Sequence, residues 1–358
     1  MTKKLLALLI FTSILGQSMA QIGGQTTYEF INLPASSRIS ALGGQLISVA
    51  DEDVALAYHT PSLLNEKMHQ SLSFNQGFHV AGIKFGYFGY GHHVDKWNTT
   101  FHGGIQYTSY GTFDLTDDRG DVLGEFKSNE FAITAGAGYR WQERLTLGAN
   151  IKLITSSFES YNSLGLVTDL AATYADTSKR LTVTMIAKNL GTQLSTYNEG
   201  NTERLPFEMQ VGFSKQLKYL PFRFSVTYRY FDKWNILYDD PEAEDEILFL
   251  GEEPQERSKI SILADNLFRH FVFSGEFLLG RKENLRLRLG YSHLRQTEMT
   301  IQNYRGFSGF SFGFGVKVKT LRLDYGRSNF HLGQKIHHIG ISTNLGDFGQ
   351  GRKGNSGV

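Results

Sequence analysis

Two histidine pairs, His92-His93 and His337-His338, and one acidic triple, Asp51-Glu52-Asp53, are the groupings whose residue types suit a metal ion. Their spacing does not. Neighbouring residues on a strand point to opposite faces, so neither pair grips one ion from one side. The triple lacks the alternating oxygen ligands and the distal bidentate glutamate of a calcium loop. The chain contains no cysteine, which excludes thiolate sites and disulfides. There is no His-Glu-x-x-His, no Ser-x-x-Lys and no phosphate-binding glycine loop. No catalytic residue, cofactor or metal is therefore expected, and the chain reads as a non-enzyme.

A different chemistry is suggested further on. Asp239, Asp240, Glu244 and Asp245 precede the apolar quartet Ile247-Leu248-Phe249-Leu250. An apolar patch rimmed by carboxylates has the make-up of a small docking hot spot for a protein partner, set against the plainer reading of a solvated loop tip.

The elements that would carry these residues begin with an export signal. Lys3 and Lys4 precede an apolar run from Leu5 to Leu15 and the small-residue pattern Ser18-Met19-Ala20, which predicts a signal peptide over residues 1–20 and a mature start at Gln21. The apolar core is too short to span a bilayer, which takes about 20 residues. Loss of two lysines turns the formal charge from +1 to about −1, so there is no basic field for nucleic acid. The chain has 38 Gly, 27 Phe and 17 Tyr against 6 Pro, a composition of many strands with tight crossings. Mean hydropathy is −0.26, and no later run is long and apolar enough for a membrane helix.

From residue 69 to 346 apolar and polar residues alternate with period two. Phe310, Phe312, Phe314, Val316 and Val318 face one way; Ser311, Gly313, Gly315, Lys317 and Lys319 face the other. About fourteen such segments are expected, near 70–77, 80–91, 98–110, 127–140, 144–156, 165–175, 181–190, 206–217, 221–231, 270–280, 284–295, 307–318, 321–328 and 335–346. From the second strand onward their connections alternate between short and long. Transmembrane barrels sort turns in this way, with short ones in the periplasm and long ones outside, whereas a soluble sandwich has no reason to. Lipid leaves no unpaired sheet edge, so the sheet must close. Tyr87, Phe88, Tyr90, Trp97, Tyr107, Tyr110, Tyr139 and Trp141 are expected in interfacial girdles. The lumen face would carry Glu276, Arg286, Arg288, Lys317, Lys319, Arg322 and Asp324. The fold class is thus all-β, a transmembrane antiparallel β-barrel in outer-membrane lipid, with a periplasmic tail at 347–358.

Residues 21–68 do not alternate and read as a plug of short helical pieces, with Asp51 capping a helix that carries Val54, Leu56, Ala57 and Tyr58. Here the chain resembles barrels related to the long-chain fatty-acid channel, through Arg38-x-x-Ala41-Leu42-Gly43-Gly44 and then Ala50-Asp51, Ala55 and Pro61-Ser62; Thr60 stands where that family usually has asparagine. Gly24 to Phe30 and the stretch from Leu263 to Met299 look closer to one branch, a barrel of the type IX secretion system of the Bacteroidetes. That resemblance implies a scaffold of the cell-surface attachment complex, with PorZ as the protein held and PorU and PorV as co-workers, and no catalytic residues. A channel for hydrophobic small molecules such as fatty acids is the alternative. The plug motif Arg38, Gly43, Gly44, Asp51 and Pro61 is common to both.

Overall fold

A computed structural model describes residues 26–237, 258–298, 307–331 and 334–350. The expected signal peptide over residues 1–20 and the expected docking residues Asp239, Asp240, Glu244, Asp245, Ile247, Leu248, Phe249 and Leu250 lie outside the described residues. Fourteen strands close into one antiparallel barrel in which each pairs with its neighbours in sequence. They are β1 Ser71–Phe78, β2 Lys84–Val94, β3 Thr99–Thr116, β4 Val122–Gln142, β5 Leu145–Phe158, β6 Tyr161–Asp176 and β7 Leu181–Ser195. The second half comprises β8 Glu208–Gln216, β9 Phe222–Tyr228, β10 Phe271–Leu279, β11 Leu285–Ser292, β12 Phe310–Val318, β13 Leu321–His331 and β14 Gln334–Asn344. The seam is β1 on β14, in register from Ser71↔Asn344 to Phe78↔His337.

The alternation sorts the wall into two unlike faces. Leu285, Leu287 and Leu289 of β11 are exposed on the outside while Arg286 and Arg288 between them are buried inside. Ile133, Ile151, Phe314, Leu323 and Ile341 continue the outer apolar band around the barrel. A band of that extent, with a polar interior behind it, is a surface for lipid rather than water. Trp97, Tyr139 and Trp141 stand exposed at the short-turn end, as a girdle requires. Tyr87 departs from that expectation: it is buried in the lumen, its ring 5.2 Å from that of Tyr58.

The sorting of loops by length is overturned in part. Residues 111–126 separate the expected segments 98–110 and 127–140 as one of the long connections, but β3 and β4 run on as a hairpin of 18 and 21 residues, with Phe113 and Phe126 stacked across it. β5 and β6 likewise continue to a turn of Glu159 and Ser160 alone. A strand needs about 9–11 residues to span the bilayer, so these extensions project beyond it. In the other direction, β11 ends at Ser292 where sequence patterning carried it to 295; a short helix, α3 (His293–Glu298), takes over, after α1 (Ser37–Ala41) in the N-terminal segment and α2 (Lys259–Arg269) before β10. Lys319 occupies the β12–β13 turn with φ 56 and is exposed, not in the lumen.

Residues 26–69 fill the barrel. Ile39, Leu42, Leu46, Val49, Leu56, Tyr58 and Leu63 form the main buried apolar cluster, to which the wall adds Tyr87. The segment sits close to the wall wherever a glycine faces it. A Cβ at Gly290 would meet the Gly43 backbone at 2.2 Å, and one at Gly148 would meet Ser62 N at 2.2 Å. Gly43 and Gly44 themselves hold φ of 84° and 86°, the left-handed turn that ends α1, which is open to glycine and costly for other residues.

Candidate functional site

The buried polar interior begins with hydrogen bonds from wall to plug. Gln106 donates to the Phe30 carbonyl at 2.8 Å, Asn150 to those of Ala57 and Tyr58 at 2.9 and 3.0 Å, Ser274 to Leu42 at 2.8 Å and Ser328 to Ser40 at 2.8 Å. These side chains do for the irregular plug backbone what a ladder does for a strand, removing the penalty of unpaired buried carbonyls.

Charge adds a lock near the short-turn end. Arg38 on α1 is 2 % exposed and commits all five guanidinium donors. Nε and Nη2 reach Glu276 on β10 at 3.0 Å each, Nη1 and Nη2 reach Asp51 at 3.0 and 2.8 Å, and Nη1 reaches Asp53 at 3.2 Å. Glu276 also accepts from Arg223 on β9 at 2.6 Å and from Arg288 on β11 at 3.1 Å; Arg288 continues to Asp324 on β13 at 2.5 Å. Arg322 holds Glu52 at 2.6 Å, and Arg286 lies 3.6 Å from Asp51. The acidic triple is thus matched by Arg38 of the plug and by Arg223, Arg286 and Arg322 of the wall. Burial works to raise the pKa of Asp51, but Arg38, Arg223 and Arg286 outweigh it and hold the carboxyl well below its usual range.

Asp51 does not cap the following turn. Asp53 does, accepting from Ala55 N at 3.1 Å, which frees Asp51 for Arg38. Gly43 and Gly44 bring the chain against Gly290, and Pro61 opens the turn Pro61–Leu63 that rests on Gly148. The five motif residues all stand where plug meets wall, although they contact different strands. Inward charges at mid-strand were the legible signal for Arg223 and for a second buried pair, Lys152 and Asp169, 2.7 Å apart. Sequence reading missed both. Lys152 Nζ also stands 4.3 Å over the Tyr58 ring. His59 in the same region is held well below its ordinary pKa by burial and by Lys188 and Lys152.

One Gly-x-Ser-x-Gly string, Gly309 to Gly313, also escaped the sequence reading. It runs along β12 with Ser311 Oγ 3.3 Å from Ser328 Oγ, not on the strand-to-helix elbow that a nucleophile needs. The histidine pairs split between faces: His92 and His337 are exposed and His338 is buried. Among the described residues no group of three metal-ligating side chains converges.

At the opposite end, where the hairpins project, the start of the plug, strands β3 to β6 and the segment after β7 line an open cavity of about 520 Å³. Tyr28, Tyr110, Phe158, Tyr161 and Tyr197 supply its aromatic lining. Phe158 stands 5.4 Å from Tyr110 and 6.0 Å from Tyr197, whose ring lies 6.4 Å from Tyr28. Tyr28 hydrogen-bonds Ser163 of β6 and Tyr110 hydrogen-bonds Glu130 of β4, so plug and wall both shape it. Sequence reading placed Tyr110 in a girdle; a register shift between Ser109 and Gly111 turns it toward the cavity instead.

No protein-family model matches the chain, and no curated protein is similar enough to match. Solved structures are similar. The toluene transporter TbuX of Ralstonia pickettii superposes with a TM-score of 0.52 at 12% identity, covering 87% of this chain and 99% of that one. A deletion mutant of TodX, described as a monoaromatic hydrocarbon channel, gives 0.50 at 13% identity over 87% and 99%. At such identities the likeness establishes the shared architecture, a plugged outer-membrane-type barrel.

Proposed function

We propose that this chain is a non-catalytic outer-membrane channel that takes small hydrophobic molecules into the outer aromatic cavity and passes them inward when the plug shifts. The cavity carries the reading: a concave site with five aromatic residues among its eleven lining residues, of the size that holds small ligands, built at the outer mouth by plug and wall together. The toluene and monoaromatic hydrocarbon channels of the same architecture support that class of substrate. Below the cavity the lumen is filled by residues 26–69, so transfer requires their movement, and the Arg38 lock acts as the latch. Bacterial cells deprived of other hydrocarbon channels and expressing the chain should accumulate labelled toluene several times faster than cells without it. A Tyr110→Ala/Tyr197→Ala variant of equal abundance should lose that gain, and equal rates with and without the chain would contradict the reading.

A second reading, a PorQ-like anchoring role in type IX secretion with PorZ, PorU and PorV as partners, is favoured by one observation. The lock and the glycine contacts hold the plug as a permanent filling would be held. It predicts that PorZ co-purifies with the chain from a Bacteroidetes host and is released when residues 239–253 are deleted. Retention without that segment would remove the docking assignment.

A further inference from the structure

The outer cavity is electronegative as well as aromatic. Glu130 on β4 is 3 % exposed, yet among the described residues its carboxylate has no cationic partner. It accepts from Tyr110 Oη at 2.5 Å and from Ser156 Oγ at 2.9 Å, and Ser156 in turn accepts from Tyr197 Oη at 2.6 Å. Every donor in this chain points at the carboxylate, the polarity that suits an anion. Glu29 and Glu203 also line the cavity, and among the described residues no lysine or arginine does. Of the basic residues nearby, Arg229 is held by Glu208 at 2.7 and 2.8 Å.

Ring faces carry the negative end of the aromatic quadrupole, so rings around a carboxylate add to its field instead of opposing it. The hydrogen bonds of Tyr110 and Tyr197 hold their hydroxyls against Glu130 and Ser156, which fixes the rings and leaves them to form the wall. A buried anion without a counterion is costly, and a ligand that brings its own positive charge offsets that cost where a neutral one does not.

We infer that the cavity selects aromatic or aliphatic amines and quaternary ammonium compounds over neutral hydrocarbons of the same shape. The inference rests on the proposed role of this cavity as the ligand site and narrows its substrate class. Benzyltrimethylammonium and its uncharged carbon isostere, neopentylbenzene, separate the two. Titrated into the purified full-length barrel in a non-ionic detergent, with tyrosine fluorescence as the readout, the cation should bind roughly tenfold more tightly. Glu130→Gln should abolish that preference while keeping affinity for neopentylbenzene; if this variant does not fold, Glu203→Gln at the rim should reduce the preference in a barrel of unchanged heat resistance. Equal affinity of the two probes would overturn the cation preference and leave the hydrophobic-ligand reading standing. Binding of neither would overturn both.

Discussion

Arg38 is the residue on which plug and wall converge. Its donors are all used by Asp51, Asp53 and Glu276, and Glu276 is shared with Arg223 and Arg288. Removing one partner from a buried ion network strands the others, at a cost of about 3–5 kcal/mol. Arg38→Met should therefore loosen the plug without unfolding the barrel. Limited proteolysis should cut residues 26–69 in the variant under conditions that leave the wild type intact.

Two titrating groups of the plug act in different pH windows. Asp51 has a folded pKa below its unfolded one, so its contribution is fully present above the ordinary carboxylate range of about 3.9 and is lost only as pH falls through the lower folded value. Mild acid leaves it untouched. His59 is also depressed, so the stability it contributes is present above its unfolded pKa, about 6.5, and falls as pH drops below it. Between pH 6.5 and 5 that amounts to about 2 kcal/mol at most. Amide protection factors in residues 54–63, which are free of the base-catalysed pH dependence of intrinsic exchange, should fall as pH drops over this interval, and His59→Gln should remove that fall. Protection factors that are flat with pH in the wild type would contradict the buried, neutral assignment.

At the scale of elements, the glycines of the wall decide where the plug can lie. A side chain at Gly148 would collide with Ser62 N and the Pro61 carbonyl, which are backbone and cannot rotate away. Gly148→Val should displace the turn Pro61–Leu63 and raise ion conductance, whereas Gly103→Val, with open space around its Cβ, should not. The strands themselves were legible because alternation survives wherever lumen and lipid differ: the fourteen expected segments correspond one to one with β1 to β14. What failed was the outer boundary of β3, β4, β5 and β6, since past the lipid both faces meet water and alternation no longer marks a strand. The cavity was not legible either. Its rings come from the plug and from the ends of separate strands, and only closure of the barrel brings Tyr28 beside Tyr197. Arg286, Arg288, Glu276, Arg322 and Asp324 were readable as inward charges, but their convergence on Arg38 was not.

For the whole molecule, the outer apolar band and the filled interior make opposite demands at neighbouring positions. Ile133 faces lipid and Thr134 is buried inside. Ile133→Lys should lower stability in bilayers by about 2–4 kcal/mol if it lies near the midplane. Unfolding in urea from lipid vesicles measures it, and a neutral result would place β4 outside the membrane.

Plug movement is the central claim of the proposed channel, and the fold offers a direct way to stop it. Ser40 on α1 and Ser328 on β13 have Oγ atoms 3.1 Å apart, and the chain has no cysteine to interfere. In a Ser40→Cys/Ser328→Cys variant, labelled toluene uptake measured with and without reductant isolates the plug. The account predicts uptake near background when the bridge is formed and recovery to the wild-type rate on reduction; uptake that is the same in both states would contradict it.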